Sequence, residues 1–187
     1  MAFSKIIAES MDLSDNYAFT GTVTGTPSIT NAQSFYLSGS KTIAAGTATV
    51  IDSAWTALDT TKVGIIGSAS NITVSSGIFS FATTGIYLVE TTMNFYEQSG
   101  SNSRYVMGNV EVTANNSSYS VVAQATGQRS NTSGGNNDNN VVYPSALVDV
   151  DDTSNVKVRL SAMSETESKT ETQTKGFQIR FIRLSDT

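Results

Sequence analysis

The chain has 187 residues and a net charge of −5, from 16 acidic and 11 basic side chains with no Lys/Arg cluster. That length suits one domain with a sizeable core and a short arm, and that charge excludes nucleic acid, whose phosphates demand concentrated positive charge. The absence of cysteine and histidine rules out disulfides, Cys/His zinc sites, Ser-His-Asp triads and Cys-His pairs together.

Residues 1–31 differ in character from the rest and are expected to form an N-terminal arm. The opening MAFSKIIAESMD has neither a long apolar core nor a small-residue cleavage pattern, so no signal peptide is expected. No apolar run is long enough to cross a bilayer, so no membrane insertion is expected either. Phe3, Ile6 and Ile7 could line a short helix; equally, Ile7, Met11 and Leu13 alternate with acidic and polar residues as an extended arm would. Tyr17, Phe19 and Val23 read as a strand that Gly25-Thr26-Pro27 ends. An arm this apolar is expected to dock on another surface rather than to trail as a tail.

From residue 32 onward the pattern is that of short strands between polar turns. Residues 34–38 and 47–51 are β segments, and Val63, Ile65 and Ile66 bracket Gly64 and Gly67 as a close-packed strand or bulge would. Trp55, the single tryptophan, is either a ligand platform or a core or subunit-interface residue, the second reading being the commoner fate of a lone Trp. Residues 76–96 are the stretch around which the chain is organised. Phe79 and Phe81 share one face, a Thr83-Thr84-Gly85 corner follows, and Tyr87, Val89, Thr91, Met93 and Phe95 then recur at every second place.

Residues 97–103 read as a polar hairpin tip, and residues 105–112 and 119–125 as the next two strands, turned at Asn115-Asn116-Ser117. Residues 127–140 hold almost nothing apolar and are expected to form a long surface loop, either a recognition loop or simply a mobile one. Asn102, Arg104, Arg129, Asn131, Asn136 and Asp138 are the candidate ligand-contacting residues of these loops. In the last third, Val156, Val158 and Leu160 alternate with Lys157 and Arg159, and Phe177, Ile179 and Phe181 share a face. Between them Glu165, Glu167 and Glu171 alternate with Lys169 and Lys175 as in a solvated hairpin; a glycosidase-like carboxylate pair would need a cleft that the spacing does not show. Asp149, Asp151 and Asp152, with Asn155, offer hard oxygen ligands for a Ca²⁺ ion; the alternative is an Asx-rich turn. No other cofactor is expected. Many short strands and no convincing helix predict an all-β fold, an antiparallel sandwich or barrel.

Three of these pieces, in this order, resemble the C1q/TNF-like trimeric jelly roll. Gly77, Phe79, Gly85 and Tyr87 match that family's G-x-F-x-x-P-x-x-G-x-Y-x-F strand pair, with Ala82 in place of the proline and Val89 in place of the last aromatic. Residues 146–160 resemble its L-x-x-G-D-x-V-x-L turn and strand, with Asp151-Asp152 for Gly-Asp and a longer turn; residues 176–184 resemble its closing strand. The resemblance covers about residues 45–187 and implies a homotrimeric jelly-roll domain over residues 32–187. Residues 4–15 and 19–23 are similar to the openings of structural and tail-fibre proteins of marine tailed bacteriophages. Together these imply a non-enzymatic virion structural protein on the tail, neck or capsid exterior. Its arm (Phe3, Ile6, Ile7, Met11, Leu13, Tyr17, Phe19) would contact other virion proteins, and its loops would meet a host-surface glycan or protein. A head-decoration or cement protein is the alternative. Ile86, Leu88 and Ile182 alternate with the expected core positions, on a face that would be polar if it met water, so these residues, with Trp55 and Tyr105, are the expected trimer contacts.

Overall fold

The computed structural model describes residues 29–58, 64–97, 103–128, 139–170 and 176–187. Among these there is no helix, and the expectation of an all-β antiparallel sandwich holds. The strands are β1 (Ala32–Leu37), β2 (Thr42–Ile43), β3 (Thr49–Val50), β4 (Trp55–Ala57), β5 (Ile65–Ile66), β6 (Ile72–Ser75), β7 (Ile78–Phe81), β8 (Gly85–Glu97), β9 (Tyr105–Thr113), β10 (Ser120–Gln128), β11 (Asn139–Val142), β12 (Ser145–Val150), β13 (Lys157–Ser164), β14 (Ser168–Thr170) and β15 (Gln178–Ser185).

One sheet is built around β8, which is 13 residues long. On one edge β8 pairs with β15 and β14, and on the other with β12 and β11; β15 continues to β1, which carries β4 and β5, and β14 continues to β2. The second sheet runs β10-β9-β13-β7-β6, with β3 also on β13. The alternation in the sequence sends Tyr87, Val89, Met93 and Phe95 of the first sheet inward to meet Phe79, Val158 and Leu160 of the second, all with essentially no exposed surface. Phe79 is the centre of this core. Its ring lies 5.3 Å from Phe35, 5.2 Å from Trp55 and 5.1 Å from Phe181, within the range where aromatic pairs add to simple burial.

Two tight connections position these strands. Ser76 (φ 49°) and Gly77 (φ 74°) form the two-residue loop of the β6–β7 hairpin, with both residues in the left-handed region that such a turn requires. The Thr83–Gly85 corner carries the chain from one sheet to the other. Tyr87 Oη donates to the Thr83 carbonyl at 3.0 Å, and the Phe81 and Tyr87 rings stand 4.7 Å apart across the bend. A Cβ on Gly85 would come within 2.6 Å of the Ser185 carbonyl, so the close approach of β15 demands glycine there.

The structure corrects three sequence-based expectations. The strands on either side of residues 97–103, β8 and β9, do not pair as a hairpin but lie in different sheets. Gly127 and Gln128 belong to β10, and Asn139 and Asn140 to β11, so the expected 127–140 loop is shorter at both ends. Residues 165–170, the described part of the charged stretch, are not simply solvated either. Ser168 and Thr170 are fully buried, because β14 is held between β8 and β2, and the register of two neighbours outweighs the polar composition.

Candidate assembly and binding face

The side chains of the first sheet that point away from the core form an unusual surface among the described residues. The strand register places Leu147 opposite Leu88, Leu88 opposite Ile182, Ile182 opposite Ala32 and Ala32 opposite Ile66. These five residues form one apolar row across five adjacent strands. Leu147 is 67% exposed and Ile66 48% exposed, with Leu88, Ile182 and Ala32 half-buried between them. Ile86 lies two positions along β8 on the same face. Near this end of the sandwich Tyr143, Val141, Val121 and Val122 are also exposed. A sheet face that meets water is ordinarily polar, and exposed apolar patches of this kind mark interaction surfaces.

The row changes character one step further along the strands. Ser145, Glu90, Arg180 and Ser34 stand opposite one another, followed by Thr92, Gln178 and Tyr36. Arg180 Nη1 stands 3.5 Å from Glu90 Oε2, with both side chains about half exposed (54% and 45%), and Arg180 Nε is 3.3 Å from Ser34 Oγ. Here the ladder is interrupted. β11 ends with Val142 opposite Met93 and β12 starts with Ser145 opposite Glu90, so Tyr143 and Pro144 pass Thr92 and Thr91 in unbroken register but outside the ladder, Tyr143 exposed and Pro144 buried. Thr91 Oγ1 donates to the Pro144 carbonyl at 2.7 Å and ties the strands together at this break. A cleft of about 320 Å³ results, lined by Glu90, Thr92, Tyr143, Ser145, Gln178 and Arg180.

The outer face of the second sheet is organised differently. Glu111, 6% exposed, receives Arg159 Nε at 2.6 Å and the Ser161 hydroxyl. Asn109 Nδ2 donates to Ser161 Oγ at 3.1 Å, and Gln124 Nε2 donates to Asn109 Oδ1 at 2.9 Å. The Arg159 guanidinium lies 4.0 Å from the centre of the Tyr119 ring, and burial pushes the Tyr119 phenol above its ordinary pKa. Glu111, Arg159, Ser161, Asn109 and Gln124 thus satisfy one another within one chain, while the buried Tyr119 hydroxyl has no hydrogen-bond partner among the described residues.

Of the expected trimer contacts, Ile86, Leu88 and Ile182 do share the outer face of the first sheet. Trp55 does not join them. It stands opposite Leu37 and turns inward, edge-on to Phe79 and Phe177, with Nε1 donating to the Ile51 carbonyl at 3.2 Å. Tyr105 lies on the second sheet, opposite Gln128. Leu147, Ile66 and Ala32 were not foreseen, because their adjacency to Leu88 depends on register between strands far apart in sequence.

Asp149, Asp151 and Asp152 do not form a cluster of three carboxylates. Among the described residues no three acidic groups stand close enough to hold a metal. Asp152 instead accepts from the Ser154 backbone N–H and from Asn155 Nδ2, both at 2.7 Å. These bonds hold its carboxyl below the ordinary value, the Ser154 amide contributing most. The Asx turn is what these residues build. Arg104 is engaged by Glu165, whose Oε2 accepts the Arg104 backbone N–H at 2.8 Å while Oε1 accepts Nε at 2.8 Å; these hydrogen bonds hold the Glu165 carboxyl below its ordinary value. The arm residues Phe3, Ile6, Ile7, Met11, Leu13, Tyr17 and Phe19 and the loop residues Asn102, Arg129, Asn131, Asn136 and Asp138 lie outside the described residues.

No protein-family profile and no curated protein sequence matches the chain. Solved structures do. Eiger TNF from S. frugiperda is similar over 87% of this chain and 96% of its own, at 18% identity and a TM-score of 0.59. Murine APRIL at pH 5.0 is similar over 82% of this chain and 98% of its own, at 12% identity and a TM-score of 0.54. The fold is therefore the TNF/C1q-like jelly roll, and at these identities the likeness shows the fold alone.

Proposed function

We propose that the chain is a non-enzymatic binding module that works as a homotrimer on a virion surface, held to the particle by residues 1–31 and presenting its far end to a host-surface ligand. The observation that carries the reading is the apolar row Leu147–Leu88–Ile182–Ala32–Ile66. It crosses the whole first sheet, and two further copies arranged around a threefold axis would cover it and leave no row exposed. The open edge at Val121, Val122 and Val141 supplies apolar surface on the same chain to meet it. Such a heterologous contact closes into a ring when its rotation is one third of a turn. Three copies then gain from avidity, so a weak single contact suffices for attachment. The virion setting rests on the resemblance of residues 4–15 and 19–23 to the openings of phage structural and tail-fibre proteins.

Removing residues 1–28 tests this reading. The truncated protein is expected to assemble as before but to be missing from particles, which remain intact and bind cells poorly. Normal adsorption by fragile capsids would overturn the attachment role in favour of a cement protein. Unchanged incorporation would overturn the anchoring role of the arm.

A further inference from the structure

We propose that the cleft beside Tyr143 binds a neutral sugar. The inference deepens the reading of the chain as a binding module and rests on that reading, but it needs only one copy of the chain, because every wall of the cleft comes from the same protomer. Its volume of about 320 Å³ is at the small end of ligand pockets.

The chemistry of the walls selects the ligand. Glu90 and Arg180 bring opposite charges to one site, yet their mutual contact is long, at 3.5 Å, and each is about half exposed. Both therefore keep hydrogen-bonding capacity directed to the cleft, the carboxylate accepting and the guanidinium donating. An anionic ligand would meet Glu90 and a cationic one Arg180, each at a cost. A neutral molecule with neighbouring hydroxyls uses both at once, since each hydroxyl donates and accepts. The Ser145 and Thr92 hydroxyls and the Gln178 amide extend the polar rim. Tyr143, 65% exposed, offers an aromatic surface to the same space, which suits the C–H face of a pyranose ring. Hydroxyl edges and one apolar face belong together in a sugar and not in a simple ion.

The position is also fixed by the fold. The break at Tyr143–Pro144 is held by the Thr91–Pro144 hydrogen bond, and the other walls stand on paired strands, so the site is largely formed before ligand arrives. It begins one row beyond Leu88, roughly 7 Å along the sheet.

The experiment is an NMR titration of the full chain with a panel of neutral monosaccharides (hexoses, 6-deoxyhexoses and N-acetylhexosamines). Sialic acid, glucosamine and glycine serve as anionic, cationic and zwitterionic probes, and sedimentation is recorded on the same samples. At least one neutral sugar is expected to shift resonances of Tyr143, Arg180 and Ser145. Tyr143→Ala and Arg180→Gln should each weaken it by roughly tenfold or more, which is about 1.4 kcal/mol, while Tyr143→Phe keeps most of the affinity. No response to any neutral sugar, shifts that map elsewhere, or tighter binding of a charged or zwitterionic probe would overturn the proposal. Sugar binding by a protein that sediments as a monomer would leave this inference standing and remove the trimer; a trimer without sugar binding would do the reverse.

Discussion

The two outer faces of the sandwich solve the same problem in opposite ways. Both sheets bury one side in the shared core, and both must then dispose of the other side. The second sheet does so within one chain, where Glu111, Arg159, Ser161, Asn109 and Gln124 satisfy one another and Tyr119 covers the guanidinium. The first sheet does not, because its row from Leu147 to Ile66 is apolar and open. The contrast locates the open side of the molecule: the centre of the second face carries stability, while on the proposed reading association belongs to the first face and to the edge at Val121 and Val122.

The largest effect should come from charging the open row. The double variant Leu88→Glu, Leu147→Glu sets like charges directly opposite each other on neighbouring strands and puts a carboxylate on every contact. It is expected to weaken self-association by at least about a thousandfold, roughly 4 kcal/mol, while the circular dichroism of a folded β protein is kept. Loss of the fold instead would mean that the row belongs to the stability of one chain, and the contrast would break.

Glu111→Ala probes the finished face. It leaves the Arg159 guanidinium, 27% exposed, without its carboxylate and the Ser161 hydroxyl without its acceptor. A fully buried pair broken this way costs more; with partial exposure the expected loss is about 2–3 kcal/mol of folding stability, read by denaturant titration, with no change in association of the folded protein. A shift in association from this variant would show that both faces contribute to contacts between copies.

Acid sharpens the same distinction. The carboxyls of Glu165, Asp152 and Asp52 are held below their ordinary values, mainly by hydrogen bonds from Arg104, from the Ser154 amide and from Lys41 respectively, and none of the three lies in the apolar row. A depressed folded-state pKa contributes stability that is present above the unfolded-state value and is lost as pH falls through the folded-state value. Folding stability should therefore decline as pH drops below about 4.5, and Glu165→Gln should make the decline shallower. An unchanged slope would remove Glu165 from the account. The smallest effect concerns the β6–β7 loop, where Ser76 holds φ 49° beside Gly77. Ser76→Asn, better suited to that region, should add about 0.5 kcal/mol of stability and leave both faces as they are.

Much of the core was legible in the sequence, because alternation is a local property. Tyr87, Val89, Met93 and Phe95, the pair Phe79 and Phe81, and the run Phe177, Ile179 and Phe181 are buried as their period of two predicts. What could not be read is how distant strands meet. Residues 97–103 have the composition of a hairpin tip, yet the strands on either side go to different sheets. Ser168 and Thr170 are polar and still lie fully inside, because neighbours from β8 and β2 enclose them. The candidate face shows the same divide. Ile86, Leu88 and Ile182 announce themselves by falling between core positions, whereas Leu147 and Ile66 join them only through register. Trp55 reads as a core or subunit-interface residue, and its place against the core depends on Leu37 opposite it, which the sequence alone does not show. The cleft had no local signal, since it arises from a gap between two strands that share one edge of β8.

Sedimentation equilibrium of the full chain at micromolar concentration addresses the unfinished face most directly. A single species at three times the 19.8 kDa chain mass, reduced to one chain by the Leu88→Glu, Leu147→Glu variant, is the predicted result. A stable, well-folded monomer from the unaltered chain would contradict it.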